Sequence, residues 1–281
     1  MSMNDKILVA IDGSPAANAA ARAAIQIAHA RSLSIYGLFI IDEALLLNPY
    51  ADFQHELGGL SDDLPRDRLL AIFKARGSAV LHGFEDQCQA AHVPIHTELM
   101  LGGVPELILR EAEQSEMVAL GRRGNHSDHQ SDRLGHNFRH IAHHVHCPII
   151  VGGDNHNRSI KRVLLAYEDS GHIPCAVEWA ALLQHDLPSD MIVLAMQRQD
   201  ERLPHWETAI KACLDCGGLQ NYNLVIRTGV TASAIATVSN THHADLIILA
   251  HYQHHNAFLE WLTGSTVDTI LRNSPLPVLM V

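Results

Sequence analysis

KILVAIDGS (Lys6–Ser14) returns in the second half of the chain as RVLLAYEDS (Arg162–Ser170): a basic residue, an apolar run, then an acidic turn ending in Ser. An unbroken apolar run of this length closed by turn residues reads as a buried strand. Alanine-rich helical text follows both copies, PAANAAARAAIQIAHARS and PCAVEWAALLQHD. Pro15 and Pro174 stand near the helix starts, where a missing N–H does no harm.

The pairing extends outward from this unit. SIYGLFIID and SDMIVLAMQ read as second strands, IHTELM and NLVIRTG as third strands, SEMVALG and ADLIILA as fourth strands, and CPIIVGG and LPVLMV close the halves. VPELILREAEQ and TASAIATVSNTHH read as the helices between strands three and four. Gly121 and Ala250, Gly135 and Gly264, and Pro148 and Pro277 keep one constant offset, so the chain is a duplicated unit. Strands alternating with helices predict an α/β fold with a parallel sheet in each half. The 281 residues suit two domains of about 140. We place them at 1–153 and 158–281, joined through the polar, glycine-rich GGDNHNRSIK. Half one alone carries an additional stretch, 43–65, ahead of a helix of about 66–90. A surface excursion and a lid near a pocket both fit it.

Composition narrows the function classes. Hydrophobic residues make up 47% and charged residues 18%, as in a folded globular chain. The net charge of −11 argues against nucleic acid as a partner, because that binding draws on excess Lys and Arg. No apolar run reaches the roughly 18 residues of a membrane span. Met1–Asp5 leads directly into the first strand, so neither a membrane segment nor a signal peptide is expected, and a cytoplasmic location is. The five cysteines, odd in number, fit a reducing compartment. Cys213 and Cys216 have CxxC spacing with no second such pair, and read as helix cysteines ahead of a Gly-Gly stop.

ILVAIDGS, MVALGRRG and a glycine followed by a helix and CPIIV, repeated in order in both halves, resemble the universal stress protein family. The resemblance implies an adenine-nucleotide alpha-hydrolase-like fold: two tandem open sheets of five parallel strands, order 3-2-1-4-5, flanked by helices. It also implies a cytoplasmic role in the stress response. Some members bind ATP in the crevice between strands one and four, and others do not. That location has its own physical reason, since open α/β sheets bind ligands where the strand order reverses.

In the family, the acidic residue after strand one contacts the nucleoside. The phosphates are held by a glycine, two residues, a second glycine, nine residues, then glycine with Ser or Thr. Half one offers Asp12, Gly121 and Gly124, but ten residues precede Gly135 and His136 replaces Ser or Thr. Half two keeps Gly264, Ser265 and Thr266, an anion-favouring helix start, but has Ala250 and Gln253 for the first two glycines and Glu168-Asp169 for Asp-Gly. Half one is therefore the expected site for ATP or another adenine nucleotide, with Arg122 and Arg123 beside the glycines and Mg2+ arriving with the nucleotide. Slow ATP hydrolysis is the most this loop suggests, because it presents no metal carboxylate pair or general base. The alternative is an interaction module with degenerate crevices that binds an unknown protein partner.

Histidine is abundant, at 21 residues. Read as a helix, 135–148 buries Phe138, Ile141, Ala142 and Val145, matched in half two by Val267, Ile270, Leu271 and Ser274. His136, His140 and His143 fall on the other face, where Zn2+ or Ni2+ is one reading and a solvated histidine-rich face the other. His126 and His129 precede them, while His251, His254 and His255 near Ser265 could hold an anion when protonated. The apolar fifth strands, each entered through proline, read as edge strands prone to pair. In the family such strands meet across a two-fold axis, so the resemblance implies an internal pseudo-dimer, Ile149–Val151 against Val278–Val281. A further dimer of chains stays open.

Overall fold

The computed structural model describes residues 5–47, 65–124, 134–153, 159–167, 173–197, 203–250 and 266–281. Ile7, Leu8 and Val9 of β1 (Lys6–Ala10) are fully buried because both sheet faces are covered, so the strand needs no polar alternation. After β1 the Asp12 carboxylate accepts a hydrogen bond from the Ser14 N–H (2.9 Å), and Gly13 turns the chain at φ 82°. Ser14 then caps α1 (Pro15–Arg31), its hydroxyl accepting from the Ala17 N–H at 3.2 Å.

Half one continues with β2 (Ser34–Asp42), the short α2 (Glu43–Leu47), α3 (Arg66–Ala90), β3 (Ile95–Gly102), α4 (Val104–Ala112), β4 (Met117–Gly121), α5 (His136–His144) and β5 (Ile149–Gly152). Half two repeats the plan as β6 (Arg162–Tyr167), α6 (Ile173–Asp186), β7 (Asp190–Met196), α7 (Leu203–Cys216), β8 (Tyr222–Arg227), α8 (Thr231–Thr241), β9 (Leu246–Leu249), α9 (Thr266–Asn273) and β10 (Val278–Met280). The start of the 43–65 stretch forms α2; 48–64, and with them the lid reading, lie outside the described residues. α5 is shorter than its sequence reading. It stops at His144 because buried Val145 is already extended (ψ 142°) and Pro148 disfavours helix at the residue before it.

The strand order is β3-β2-β1-β4-β5-β10-β9-β6-β7-β8, so each half runs 3-2-1-4-5 and the two halves form one ten-stranded sheet. Pairing is parallel within each half. At the junction β10 pairs antiparallel with β5, Val278 opposite Val151 and Met280 opposite Ile149, and these strand residues are buried. The apolar fifth strands thus cover each other's edges, leaving β3 and β8 at the margins of the sheet.

Contacts beyond the strands also cross the junction. A Cβ on Gly153 would stand 2.1 Å from the Pro275 carbonyl oxygen, so only glycine allows this approach. The Gln26 side-chain oxygen accepts from the Ile160 N–H at 2.8 Å, and Arg31 pairs with Asp186 at 3.2 Å. On the other face Arg139 of α5 lies 3.7 Å from Asp268 of α9, which also pairs with Arg272 at 2.5 Å. Arg139 and Asp268 are 129 residues apart, the offset that relates Gly121 to Ala250, so equivalent positions of the two halves face each other with opposite charge.

Two core layers sandwich the sheet, one under α1, α3, α6 and α7 and one under α4, α5, α8 and α9, and each layer includes buried residues of both halves. Such continuity predicts a single unfolding transition. All three tryptophans, Trp179, Trp206 and Trp261, belong to half two. Tryptophan fluorescence should therefore melt at the same temperature as the far-ultraviolet dichroism of the whole chain. Two separated midpoints would show halves that unfold independently.

Candidate functional site

In half one, β1 has β2 on one side and β4 on the other, and the crossover helices that lead into these two neighbours, α1 and α4, lie on opposite faces. A cavity of about 390 Å3 opens at the carboxyl ends of these strands. Its apolar walls come from Leu38, Ile40, Val104 and Ile108 on one side of the sheet and Phe39, Ile41 and Phe73 on the other. Asp12, Gly121, Arg123, Gly124, Gly135 and His136 all line it, so the chain brings together residues up to 124 positions apart, from 12 to 136. Asp42 and Arg76 complete the polar rim. Two carboxylates and two guanidiniums thus share the opening with one imidazole.

Asp42 and Arg76 escaped the sequence reading. Asp42 ends β2 as Asp12 follows β1, a signal that strand ends alone could have supplied. Arg76 became placeable only with the packing of α3, whose Phe73 and Gly77 turn toward the sheet.

The glycines divide into two kinds. A Cβ on Gly121 would come within 2.9 Å of the Ala17 backbone nitrogen, so packing of α1 against β4 requires it. On Gly124 the nearest atom would be an Asp12 carboxylate oxygen at 3.5 Å, and on Gly135 the Arg122 carbonyl oxygen at 3.4 Å. Neither contact forbids a side chain. Their bare backbone keeps the crevice floor open instead, which suits a ligand that approaches backbone N–H groups. Arg123 adds a buried Nε with no hydrogen-bond partner among the described residues.

Arg122, grouped with these residues by sequence, does not line the crevice. Its side chain runs the other way, 1% exposed, and its Nη1 donates to the carbonyl oxygens of Leu271 (2.7 Å) and Ser274 (2.9 Å) at the end of α9. The chain bends at Arg122 and Arg123, just past the end of β4, so neighbours in GRRG part company.

The histidine set His136, His140 and His143 is not brought together as a metal site. Among the described residues no group of three or more His, Cys, Asp or Glu side chains could hold a metal ion. Residues 136 and 143 stand about 10.5 Å apart along a helix axis, too far to share an ion bonded at about 2 Å. His140 stacks on His144 instead, ring centroids 4.5 Å apart, while exposed His136 lines the crevice. His126, His129, His251, His254 and His255 lie outside the described residues. All five cysteines are unbridged, Cys213 and Cys216 near the end of α7 included. Burial pushes the Cys88 thiol up to about 12 and that of Cys147 up to about 11, so both stay protonated at neutral pH.

Among the described residues, the equivalent crevice of half two is nearly closed. Thr266 lines it with Tyr167, Met196, Thr231, Ala250 and Ile270, around about 30 Å3, space for little more than one water. Tyr167 stands where half one has Ile11, and Met196 where it has Ile40, and these longer side chains take up the volume. Gly264, Ser265, Glu168 and Asp169 lie outside the described residues.

A doubly wound parallel sheet with its crevice at the strand-order reversal, duplicated and joined edge to edge, is the adenine-nucleotide alpha-hydrolase-like fold in tandem. Residues 3–151 and 159–281 each match the universal stress protein family, and the chain belongs to that family as a two-domain member. A universal stress protein of Methanocaldococcus jannaschii is 26% identical over 149 residues, an alignment spanning 52% of this chain and 80% of that protein. One from Synechocystis sp. is 25% identical over 167 residues, spanning 58% of this chain and only 57% of the relative. The crystal structure of a universal stress protein from Archaeoglobus fulgidus superposes with a TM-score of 0.75 over 99% of this chain and 97% of that one, at 19% identity. This likeness bears on the fold alone. Among the described residues no helix is long and apolar enough to cross a membrane.

Proposed function

We propose that half one binds an adenine nucleotide, ATP first among them, and that the chain acts as a nucleotide-responsive regulator in a cytoplasmic stress response, with half two a non-binding companion. The observation that carries this reading is the convergence of Asp12, Arg123, Gly124 and Gly135 on one cavity of about 390 Å3, against about 30 Å3 in half two. A volume above 300 Å3 lies in the range of small-molecule sites. The apolar walls suit a base, the Asp12 carboxylate suits nucleoside hydroxyls or amines, and Gly124, Gly135 and Arg123 suit phosphates. Mg2+ travels with the phosphates in this reading, because they supply the oxygen ligands that the described residues do not assemble.

Calorimetric titration with ATP, with and without Mg2+, tests it. The expected result is one site per chain, weakened about tenfold by Asp12→Ala, the loss of one charge-assisted contact. Gly124→Val should abolish binding by filling the floor, and Thr266→Ala in half two should leave it unchanged. No heat and no thermal shift at millimolar ATP would overturn the proposal.

A further inference from the structure

We infer that Arg122 is a positioning residue that holds the half-one crevice loop in register with α9 of half two, so that occupancy of one crevice is felt at the other. The inference rests on the nucleotide reading for the identity of the ligand; the mechanical link does not depend on it.

Arg122 sits between Gly121 and Arg123, both of which line the cavity. Its backbone carbonyl accepts from the Gly135 N–H at 3.0 Å, which ties the backbone just after β4 to the residue that precedes α5. Its guanidinium grips Leu271 and Ser274, 149 and 152 residues away. Carbonyls in the last turn of a helix lack intrahelical donors and carry partial negative charge, so they suit a cation. One residue therefore links the backbone at the end of β4 and the start of α5 to the end of a helix in the other half.

That helix reaches the second crevice. Thr266, Val267 and Ile270 of α9 line it, and the eight residues of α9 span about 12 Å as a rigid unit. A second tie runs parallel to the first, Arg139 of α5 to Asp268 of α9. α5 begins at His136 in the first crevice and α9 at Thr266 in the second, so the linked pair of helices spans both sites. A ligand that tightens the 121–124 backbone must tighten α9 through Arg122, and by linkage whatever displaces α9 must loosen the ligand.

Hydrogen exchange read by mass spectrometry on the whole chain tests this in two arms. Without ligand, Arg122→Met should speed exchange about tenfold both around 121–138 and in 266–274, with β2 and β7 unchanged. Arg122→Lys, which keeps one cationic donor, should fall between Arg122→Met and the wild type and serves alone if the Met variant fails to fold. Faster exchange confined to the loop, or spread evenly over the chain, would overturn the inference. With Mg2+ and ATP, α9 should gain protection in the wild type and lose that gain in the variants. ATP that protects the loop but leaves α9 unaltered would sink the coupling while sparing the nucleotide reading. If ATP does not bind at all, that reading falls and the ligand-free arm decides the inference by itself.

Discussion

Gly152→Val is expected to lower the melting temperature of the whole chain by about 6–12 °C. A Cβ at Gly152 would stand 1.8 Å from the Ala16 carbonyl oxygen and 2.8 Å from the Ala20 nitrogen. Both belong to the backbone of α1, so no side chain can rotate aside. The helix must lift from β4 and β5, and α1 brings ten buried residues to the core, Ile25 and Ile27 among them. Over-packing usually costs about 1–3 kcal/mol; a clash with rigid backbone belongs at the top of that range or above it. At about 2–4 °C per kcal/mol this gives the expected fall. Because α1 starts at the Asp12–Ser14 turn, the same substitution should also remove ligand binding in half one. Gly83→Ala is the control: no atom lies within 4 Å of its Cβ, and it sits inside α3, so it should stabilise by about 0.5–1 kcal/mol. A Gly152 variant melting within 2 °C of the parent would refute the close packing of α1.

This packing explains why some features were legible in sequence and others were not. Alanine runs and glycines at strand ends announce a helix lying on a sheet, and the repeated strand-turn-helix text announced the duplication. In half two, Val281 and Ala250 hold the places of Gly152 and Gly121, and α6 correspondingly meets the sheet with Ile173, Val177 and Leu183 beside only two alanines, Ala176 and Ala180, where α1 buries eight. The apolar edge of each fifth strand was legible in its proline-entered text, while the meeting of the two edges was implied by the family resemblance. The near closure of the second crevice did not, because it depends on how far Tyr167 and Met196 reach inward. Arg122 was misplaced for a related reason: a basic residue beside two glycines fits a phosphate loop, while its true acceptors are backbone carbonyls about 150 residues away. Backbone acceptors leave no mark in a side-chain pattern. The Arg139–Asp268 pair was hidden until the offset between halves showed the two positions to be equivalent.

Asp268→Ala is the second large effect expected. The Asp268 side chain is 3% exposed and lies between Arg139, 28% exposed, and Arg272, 24% exposed. Removing it leaves two guanidiniums facing each other at the junction of the halves. Deleting one member of a fully buried pair costs about 3–5 kcal/mol; with both cations reaching some water, about 2–4 kcal/mol is expected. The single substitutions should rank in a definite order. Arg139→Ala removes the longer contact, 3.7 Å, and leaves Asp268 bound to Arg272 at 2.5 Å, so it should cost about 1 kcal/mol or less. Arg272→Ala should fall between the two. In a symmetric pairing of two first halves Arg139 would meet Arg139, and in one of two second halves Asp268 would meet Asp268, each a like-charge contact. Opposite charges at equivalent positions therefore favour the pairing of half one with half two found here. Denaturant titration of the three variants and of the Arg139→Ala/Asp268→Ala double variant measures this directly. A double variant whose cost is the sum of the Arg139→Ala and Asp268→Ala costs, within about 0.5 kcal/mol, would mean that the two side chains do not interact at the junction, and charge would then have no part in choosing which halves pair.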